Sequence, residues 1–263
     1  MNKIYQTPYG NVHIPVYAPK ISILCSGGFD SALLLYMVAK TCQEFNPTAT
    51  IMPLTVVRAT DDTDDEHRRR VDNLPIVDNI INWVRGHFPD IDIQDKQYKL
   101  AYKYWENKNI SYLEAQKNLI KESIDISLLD DLQEPYKHIQ LNFNGVTKNP
   151  PVPMDFTADM HQFRELHRDT NCKKHQPMSD GSASTIHKVG WKYPDLVEFI
   201  EAFRNADKRV TITLAKQLGI FWDLNNMKRS CEGNHLDTNY WTTTCGKCWW
   251  CQERDWAIKE VYA

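Results

Sequence analysis

The sequence predicts an α/β protein: a doubly wound, mostly parallel sheet followed by a C-terminal metal-binding segment. Two patterns lead to this fold class. Apolar, β-branched runs alternate with segments of helical periodicity over the first hundred residues, as in strand–helix–strand units. Four of the 7 cysteines then fall within residues 231–251. A chain of 263 residues has room for one such domain, predicted over 1–230, and for an appendage over 231–263 packed on it.

The predicted elements of the first half follow one another at the spacing of parallel strands and crossover helices. Pro53 lies inside the second predicted strand, and its missing amide favours a place near a sheet edge or at a strand start. The predicted strands are Lys20–Ser26, Ala49–Ala59 and Asp90–Gln94, and the predicted helices are Asp30–Cys42 and the segment beyond Pro75.

The second half of the chain is less regular. Residues 97–133 are polar, and their helical pattern predicts a helical excursion. His138–Val146 alternates apolar and polar residues, which predicts a return to the sheet. The stretch from there to about Gly190 has little periodicity, and so long an irregular segment is usually functional or mobile. Two further helices are predicted at Pro194–Phe203 and Val210–Ile220.

Charge and hydropathy exclude several classes of protein. The net charge is −3 and the pI is about 6.3, so there is no overall electrostatic reason to expect nucleic-acid binding. Met1–Lys20 lacks the apolar run of a signal peptide, and no stretch approaches the ~20 apolar residues of a membrane span. We therefore expect a cytoplasmic protein.

The junction between the first strand and the first helix has the composition of a phosphate-binding turn. Glycines allow a charged oxygen to approach the main chain, and the amides and dipole of a helix N-terminus favour negative charge there. The two serines add hydroxyls, and the aspartate is placed to cap the helix. No Gly-Lys-Ser/Thr follows, so this is not a Walker A loop. The candidate phosphate-binding residues are Ser26, Gly27, Gly28, Phe29, Asp30 and Ser31.

The clustered cysteines predict a metal site. In a cytosolic chain, thiolates at such close spacing indicate metal binding before disulfides. Four thiolates close a tetrahedral shell of the kind that structural zinc uses. An iron–sulfur cluster also uses C-x2-C-x2-C, and His235 lies within the loop as a possible substitute for one thiolate. The predicted ligands are Cys231, Cys245, Cys248 and Cys251.

The segment Ser26–Ser31 resembles the SGG-x-D-S/T signature of the PP-loop ATP pyrophosphatases. The resemblance implies an adenine nucleotide alpha hydrolase-like fold. It also implies an enzyme that holds ATP by its pyrophosphate and transfers AMP to a carboxylate or carbonyl oxygen. It does not specify the acceptor.

Within that superfamily, the two ends of the chain resemble the 7-cyano-7-deazaguanine synthase family. Ser230-Cys231 and the block from Cys245 to Arg254 match its C-terminal motif. "EHRRRVDN", with His67 and Arg68, and "NADKRVTITLAKQLGI", with Lys208, are weaker matches. The middle of the chain departs from the family, because "FNGVTKNPPVPM" and the irregular stretch after it replace its substrate-pocket segment.

That resemblance implies an ATP-dependent carbon–nitrogen ligase of queuosine-type biosynthesis. ATP would adenylate 7-carboxy-7-deazaguanine, ammonia would displace AMP to give an amide, and a second activation would dehydrate the amide to the nitrile. The implied cofactors are ATP, Mg²⁺ and Zn²⁺, and relatives of this kind often form homodimers.

Adenylation places additional negative charge on the α-phosphate, so backbone amides and a lysine are natural stabilisers. Asp30 is the candidate contact for Mg²⁺, and Lys208 is the candidate phosphate-binding lysine. Lys148 follows a strand and is a weaker candidate for touching a purine-like substrate. The histidines between His161 and His187 form no recognisable ligand set and fit a surface role better.

Two other functions compete with this one. A related PP-loop enzyme would adenylate a different acceptor, such as a tRNA base or a protein, and the unusual middle segment is the reason to consider it. A non-enzymatic, zinc-bearing module that merely binds nucleotide is the alternative from another class. In that module, substitutions in the phosphate-binding turn would leave the partner-binding role intact.

Overall fold

The computed structural model describes residues 1–59, 73–102, 115, 117–124, 139–147, 182–188, 197–231 and 243–263. Its strands are β1 (Asn2–Thr7), β2 (Gly10–Pro15), β3 (Lys20–Leu24), β4 (Thr50–Ala59), β5 (Asp92–Ile93), β6 (Gln97–Tyr102), β7 (Ile139–Asn144), β8 (Thr185–Lys188) and β9 (Glu198–Glu201). Its helices are α1 (Phe29–Phe45), α2 (Leu74–His87), α3 (Lys208–Gln217), α4 (Phe221–Met227) and α5 (Trp249–Tyr262), and residues 117–124 are also helical.

A mostly parallel sheet of seven strands organises the molecule. Its order is β5-β4-β3-β7-β9-β8, and β6 pairs with β4 beyond β5. All pairings are parallel except that of β8 with β9 at the edge. The chain leaves β3 towards β4 and later returns to β7 on the other side of β3. The order therefore reverses at β3, and ligands of open parallel sheets bind at such a point, beyond the carboxyl ends of the strands.

Helices cover both faces of this sheet, which confirms the predicted doubly wound α/β class. Helices α1–α4 and the antiparallel β1–β2 hairpin share one core with the inward residues of β3 and β4, among them Ile21, Ile23 and Ile51. The alternate residues Leu24 and Leu54 face the other way, into a second cluster. Residues 117–124 pack there through Leu119, Ile120 and Ile124.

Pro53 lies in the interior of β4, so the strand-start alternative was wrong, whereas β4 is second in the sheet order and thus near an edge, as the other alternative predicted. The Leu54 carbonyl accepts from the Cys25 amide, so the polar groups of Leu54 face β3 and those of Pro53 face the opposite neighbour. On that side β5 ends its pairing at Ile51, and β6 begins at Leu54. The missing amide thus falls at the break between the two short strands, where no ladder bond is lost.

One helix prediction was wrong, and another was right only in part. Within the predicted helix Pro194–Phe203, the described residues contain the strand β9, which pairs with β7 and β8. The predicted excursion 97–133 begins instead with β6, which extends along β4, and becomes helical at 117–124. A short apolar run does not separate strand from helix by periodicity, and in both places pairing with a neighbouring strand decides the conformation.

The other predicted elements are present with shifted bounds. The strand at Asp90–Gln94 is reduced to Asp92–Ile93, and the irregular stretch before Gly190 contains β8. The predicted helix Val210–Ile220 begins two residues earlier, at Lys208, because the Asp207 side chain accepts from the Arg209 amide and caps it. Among the described residues, no helix is both long and apolar enough to cross a membrane.

Candidate functional site

The Ser26–Ser31 turn follows β3 directly and opens α1 at the point where the strand order reverses. The Ser31 hydroxyl accepts from the Ser26 amide at 3.2 Å and donates to the Gly28 carbonyl at 3.1 Å, so it closes the turn from within. The helix cap is Gly28, which offers no side-chain acceptor to the first-turn amides. The turn therefore presents main-chain donors and the positive end of a 17-residue helix, a combination that suits an anion.

The backbone conformation of the turn requires glycine at Gly27, and the space around the turn favours glycine at Gly28. Gly27 has φ +78°, in the left-handed region where a side chain is strained, and a Cβ there would lie 3.4 Å from Ile76. A Cβ on Gly28 would lie 3.3 Å from the Ser26 Oγ and 3.4 Å from the Ser230 Oγ. A side chain at either position would strain the turn or crowd its hydroxyls.

Two further segments hold the turn from its sides. Asn73, buried at the start of α2, donates from its side-chain amide to the Ser26 carbonyl at 3.1 Å. Gly145, directly after β7, approaches α1 so closely that a Cβ there would lie 3.2 Å from the Asp30 carbonyl oxygen. These contacts come from the strands and helices on either side of β3, and they fix the turn against the sheet.

Asp30 and Lys208, both predicted from sequence, lie together. The buried Lys208 ammonium, in the first turn of α3, donates to the Asp30 Oδ2. The other oxygen, Oδ1, is buried and has no hydrogen-bond partner in the described structure. A carboxylate with one buried oxygen unsatisfied fits the predicted contact with a divalent cation or its water. The lysine neutralises that carboxylate at the mouth of the turn.

The segment Lys228–Cys231 connects this turn to the cysteines. The Arg229 amide donates to the Gly27 carbonyl at 2.8 Å, and the Ser230 Oγ accepts from the Phe29 amide at 3.1 Å. Burial lowers the pKa of Lys228 to about 8, and repulsion from Arg254 acts in the same direction. The Lys228 ammonium and the Arg254 guanidinium are thus close enough to repel each other beside the cysteines.

The four predicted metal ligands converge: the sulfurs of Cys231, Cys245, Cys248 and Cys251 all lie within 4.8 Å of one another. Gly246, at φ +70°, allows the tight bend after the first of the three closely spaced cysteines. The Cys245 amide donates to the Cys231 sulfur at 3.3 Å, and the Cys248 amide donates to the Cys245 sulfur at 3.2 Å. Amide donors of this kind stabilise thiolates around a metal ion.

The distances fit a single ion. Four thiolates about 2.3 Å from a tetrahedral zinc ion stand about 3.8 Å apart. The Cys248 and Cys231 sulfurs are 3.9 Å apart. An iron–sulfur cluster puts several atoms between its ligands and needs a wider arrangement. The hydrogen bond with Cys248, together with burial, raises the pKa of the Cys251 thiol, and a metal ion that binds this sulfur would have to displace its proton.

The cysteine group is anchored to the main domain by α5. Ala257 on this helix is fully buried in the main core, and the Arg209 guanidinium lies 5.1 Å from the Trp256 ring centroid. The Lys216 ammonium, on α3, donates to the Val261 carbonyl at 2.9 Å. The C-terminal segment therefore packs against α3, the helix that carries Lys208.

Several predicted residues lie outside the described part of the chain. These are His67, Arg68, Lys148, His161, His167, His175 and His235, while only the backbone of His187 is described. In turn, sequence reasoning missed Asn73, Gly145 and Lys228. The first two could have been found from their positions. Asn73 directly precedes a predicted helix and Gly145 directly follows the core of a predicted strand, and such positions lie near the carboxyl edge of a parallel sheet.

The chain was compared with known proteins. No protein-family model and no curated protein matches it. Among solved structures, it is similar to the U34-tRNA thiolase NcsA from Methanococcus maripaludis with its [4Fe-4S] cluster. The identity is 12% over 92% of this chain and 72% of that chain, with a TM-score of 0.37. The chain itself is an α/β protein with a mostly parallel sheet, an anion-suited turn at its reversal point, and a C-terminal group of four cysteines that could bind a metal.

Proposed function

We propose that this protein is an ATP-dependent carbon–nitrogen ligase that converts 7-carboxy-7-deazaguanine to 7-cyano-7-deazaguanine with ammonia. The observation that carries the ATP-binding part is the turn Ser26–Ser31, whose donors face the carboxyl edge of the sheet where its order reverses. The identity of the acceptor is supported by the sequence resemblance at the two ends of the chain.

The proposed reaction has three steps. A carboxylate oxygen of the substrate attacks the α-phosphorus of ATP, and pyrophosphate leaves with the electron pair of the broken P–O bond. Ammonia then attacks the acyl carbon, AMP leaves, and a proton is lost, which gives the amide. A second ATP adenylates the amide oxygen with release of pyrophosphate, and loss of AMP and of both amide protons gives the nitrile.

The residues of the turn would act mainly through electrostatics. Main-chain amides at the start of α1 would hold the β- and γ-phosphates, and they would stabilise the charge that develops on the leaving pyrophosphate. Lys208 would add positive charge at the same edge. Asp30, through its unsatisfied oxygen, would hold Mg²⁺ or its water, and that ion would supply further charge neutralisation.

The four cysteines would hold one Zn²⁺ with a structural role. The sulfur spacing supports a single ion, and four thiolates leave no open coordination position for a substrate. Zinc would then contribute folding energy to the C-terminal segment.

The test is turnover with defined components. Purified protein is incubated with ATP, Mg²⁺, ammonium and 7-carboxy-7-deazaguanine, and pyrophosphate, AMP and the mass of the product are measured. We expect the nitrile product and two AMP per product. The variant Gly27→Asp, which places a carboxylate in the turn, should lose AMP release.

The same assay separates the alternatives. AMP release with an RNA or protein acceptor, but not with the deazaguanine acid, would identify an adenylating enzyme of different specificity. ATP binding without AMP release on any acceptor would contradict an enzyme and favour a nucleotide-binding module. Absence of ATP binding would remove the proposal altogether.

A further inference from the structure

The segment between α4 and Cys231 touches both candidate sites. Arg229 contacts the turn through its amide, which donates to the Gly27 carbonyl at 2.8 Å. Ser230 contacts it through its hydroxyl, which accepts from the Phe29 amide at 3.1 Å. The next residue, Cys231, is buried and is one of the four converging cysteines. One peptide bond and the hydrogen bond of Ser230 therefore separate Cys231 from the phosphate-binding turn, and the hydrogen bond of Arg229 gives a second contact one residue earlier.

The position of Ser230 affects the part of the turn that an anion would use. Its Oγ would be 3.4 Å from a Cβ on Gly28, the residue that caps α1, so the hydroxyl lies against the cap itself. Phe29 is the first residue of α1, and the Ser230 hydroxyl fixes the direction of its amide. The position of Ser230 depends in turn on that of its neighbour Cys231, whose sulfur belongs to the cysteine group.

From this geometry we propose that Ser230 is a positioning residue that makes nucleotide affinity dependent on metal occupancy of the cysteine group. The inference rests on the proposed function, since it concerns nucleotide at the same turn. A metal ion fixes Cys231, Cys231 fixes Ser230, and Ser230 orients the start of α1. Because coupling between two binding equilibria is reciprocal, bound nucleotide must strengthen metal binding by the same factor.

The first experiment measures nucleotide affinity by titration calorimetry with α,β-methylene ATP and Mg²⁺. Wild-type protein loaded with Zn²⁺ is compared with chelator-stripped protein, and each with Ser230→Ala and Ser230→Thr. We expect metal removal and Ser230→Ala each to weaken binding about five- to tenfold, the effect of one lost hydrogen bond. Ser230→Thr, which keeps the hydroxyl, should bind like wild type. In stripped protein, Ser230→Ala should cause no further loss.

Ser184→Ala is the matched control. The Ser184 Oγ also accepts from a backbone amide, that of His13 at 2.8 Å, and donates to the Ala202 carbonyl, but it lies at β8, away from the turn. This variant should lose stability without losing nucleotide affinity. If Ser184→Ala weakens nucleotide binding as much as Ser230→Ala, the effect is a general loss of stability and the inference is wrong.

The second experiment measures the same coupling from the metal side, at chelator concentrations at which circular dichroism shows that the protein stays folded. Zn²⁺ affinity is measured by competition with a chelator, with and without saturating α,β-methylene ATP. We expect the nucleotide to tighten Zn²⁺ binding about five- to tenfold in wild type and to have no effect in Ser230→Ala. Equal Zn²⁺ affinity with and without nucleotide in wild type would overturn the coupling. If wild type binds no nucleotide at all, the proposed function fails instead.

Discussion

At the scale of single residues, the phosphate-binding turn combines local features with contacts that come from far along the chain. Its order of Ser, Gly, Gly and Asp between a strand and a helix is visible in the sequence, so the turn itself could be predicted. The contact of Asp30 with Lys208 spans 178 residues, and the support from Asn73, Gly145 and Ser230 also comes from distant segments. Such contacts depend on the tertiary fold and cannot be obtained from residue spacing.

The variant Gly27→Ala tests whether the backbone of the turn, rather than its stability, governs nucleotide binding. A non-glycine residue at φ +78° is strained by about 1 kcal/mol, and relaxing that strain moves the amides of the turn. We expect a loss of about 1 kcal/mol in the free energy of unfolding and at least a tenfold loss of ATP affinity. Urea denaturation and calorimetry measure the two effects.

Gly219→Ala is its control. Gly219 has φ +71°, near the end of α3, and a Cβ there would meet nothing within 4 Å. The same strain should lower stability by a similar amount without changing ATP affinity. Equal loss of ATP affinity in both variants would contradict a specific role for the turn.

Removing Lys208, the buried partner of Asp30, should lower the free energy of unfolding. Lys208→Met leaves the Asp30 carboxylate without a counter-charge in a largely buried position, which destabilises proteins by about 3 kcal/mol. Adding Asp30→Asn should recover part of that loss, because the uncompensated charge is gone. Urea denaturation of the single and double variants gives the coupling. Lys216→Met, on the same helix but exposed, should cost less than about 0.5 kcal/mol.

At the scale of elements, pairing with neighbouring strands determines whether a segment is a strand or a helix where the hydrophobic periodicity fits both. The run around β9 has apolar residues at positions that suit either a helix or a buried strand, and its neighbour β7 makes it a strand. The same holds for β6 beside β4. By contrast, α1 and α2 carry apolar faces that are long enough to identify them as helices from the sequence. The spacing of the four cysteines is sufficient to predict that their sulfurs lie together.

The C-terminal cysteine group gives the prediction at this scale. Cys248→Ser removes one ligand and should abolish stoichiometric metal, which is measured by elemental analysis. Because metal affinity contributes directly to folding, the free energy of unfolding should fall by at least about 4 kcal/mol. Cys42→Ala, a buried cysteine of α1 outside the group, should cost about 1 kcal/mol and keep the metal. Full metal content in Cys248→Ser would exclude this residue as a ligand.

At the scale of the whole molecule, the strand order could not be predicted. The alternation of strands and helices indicated a parallel sheet, but nothing in the residues themselves places β7 beside β3 or reverses the order there. The division into 1–230 and 231–263 stays a prediction. Ala257 of α5 belongs to the same hydrophobic core as residues of α3 and α4, so the two predicted segments share one core.

That shared core predicts cooperative unfolding. Loss of far-UV circular dichroism and release of metal to a chromogenic chelator should have coincident midpoints in urea, because α5 cannot leave without exposing the core. A separate, earlier release of metal with the sheet intact would show that the C-terminal segment is an independent unit.

The close approach of Gly145 to the Asp30 carbonyl has a consequence for catalysis. The exit of β7 and the start of α1 lie so close that a Cβ added at Gly145 would press on the Asp30 carbonyl, so a large shift of one would displace the other. The donors of the turn are ordered when the chain folds, so binding of a nucleotide would not cost further conformational entropy there. Crystal structures with and without nucleotide should therefore superimpose at the turn. Any change of shape during the reaction cycle then has to occur in other parts of the chain.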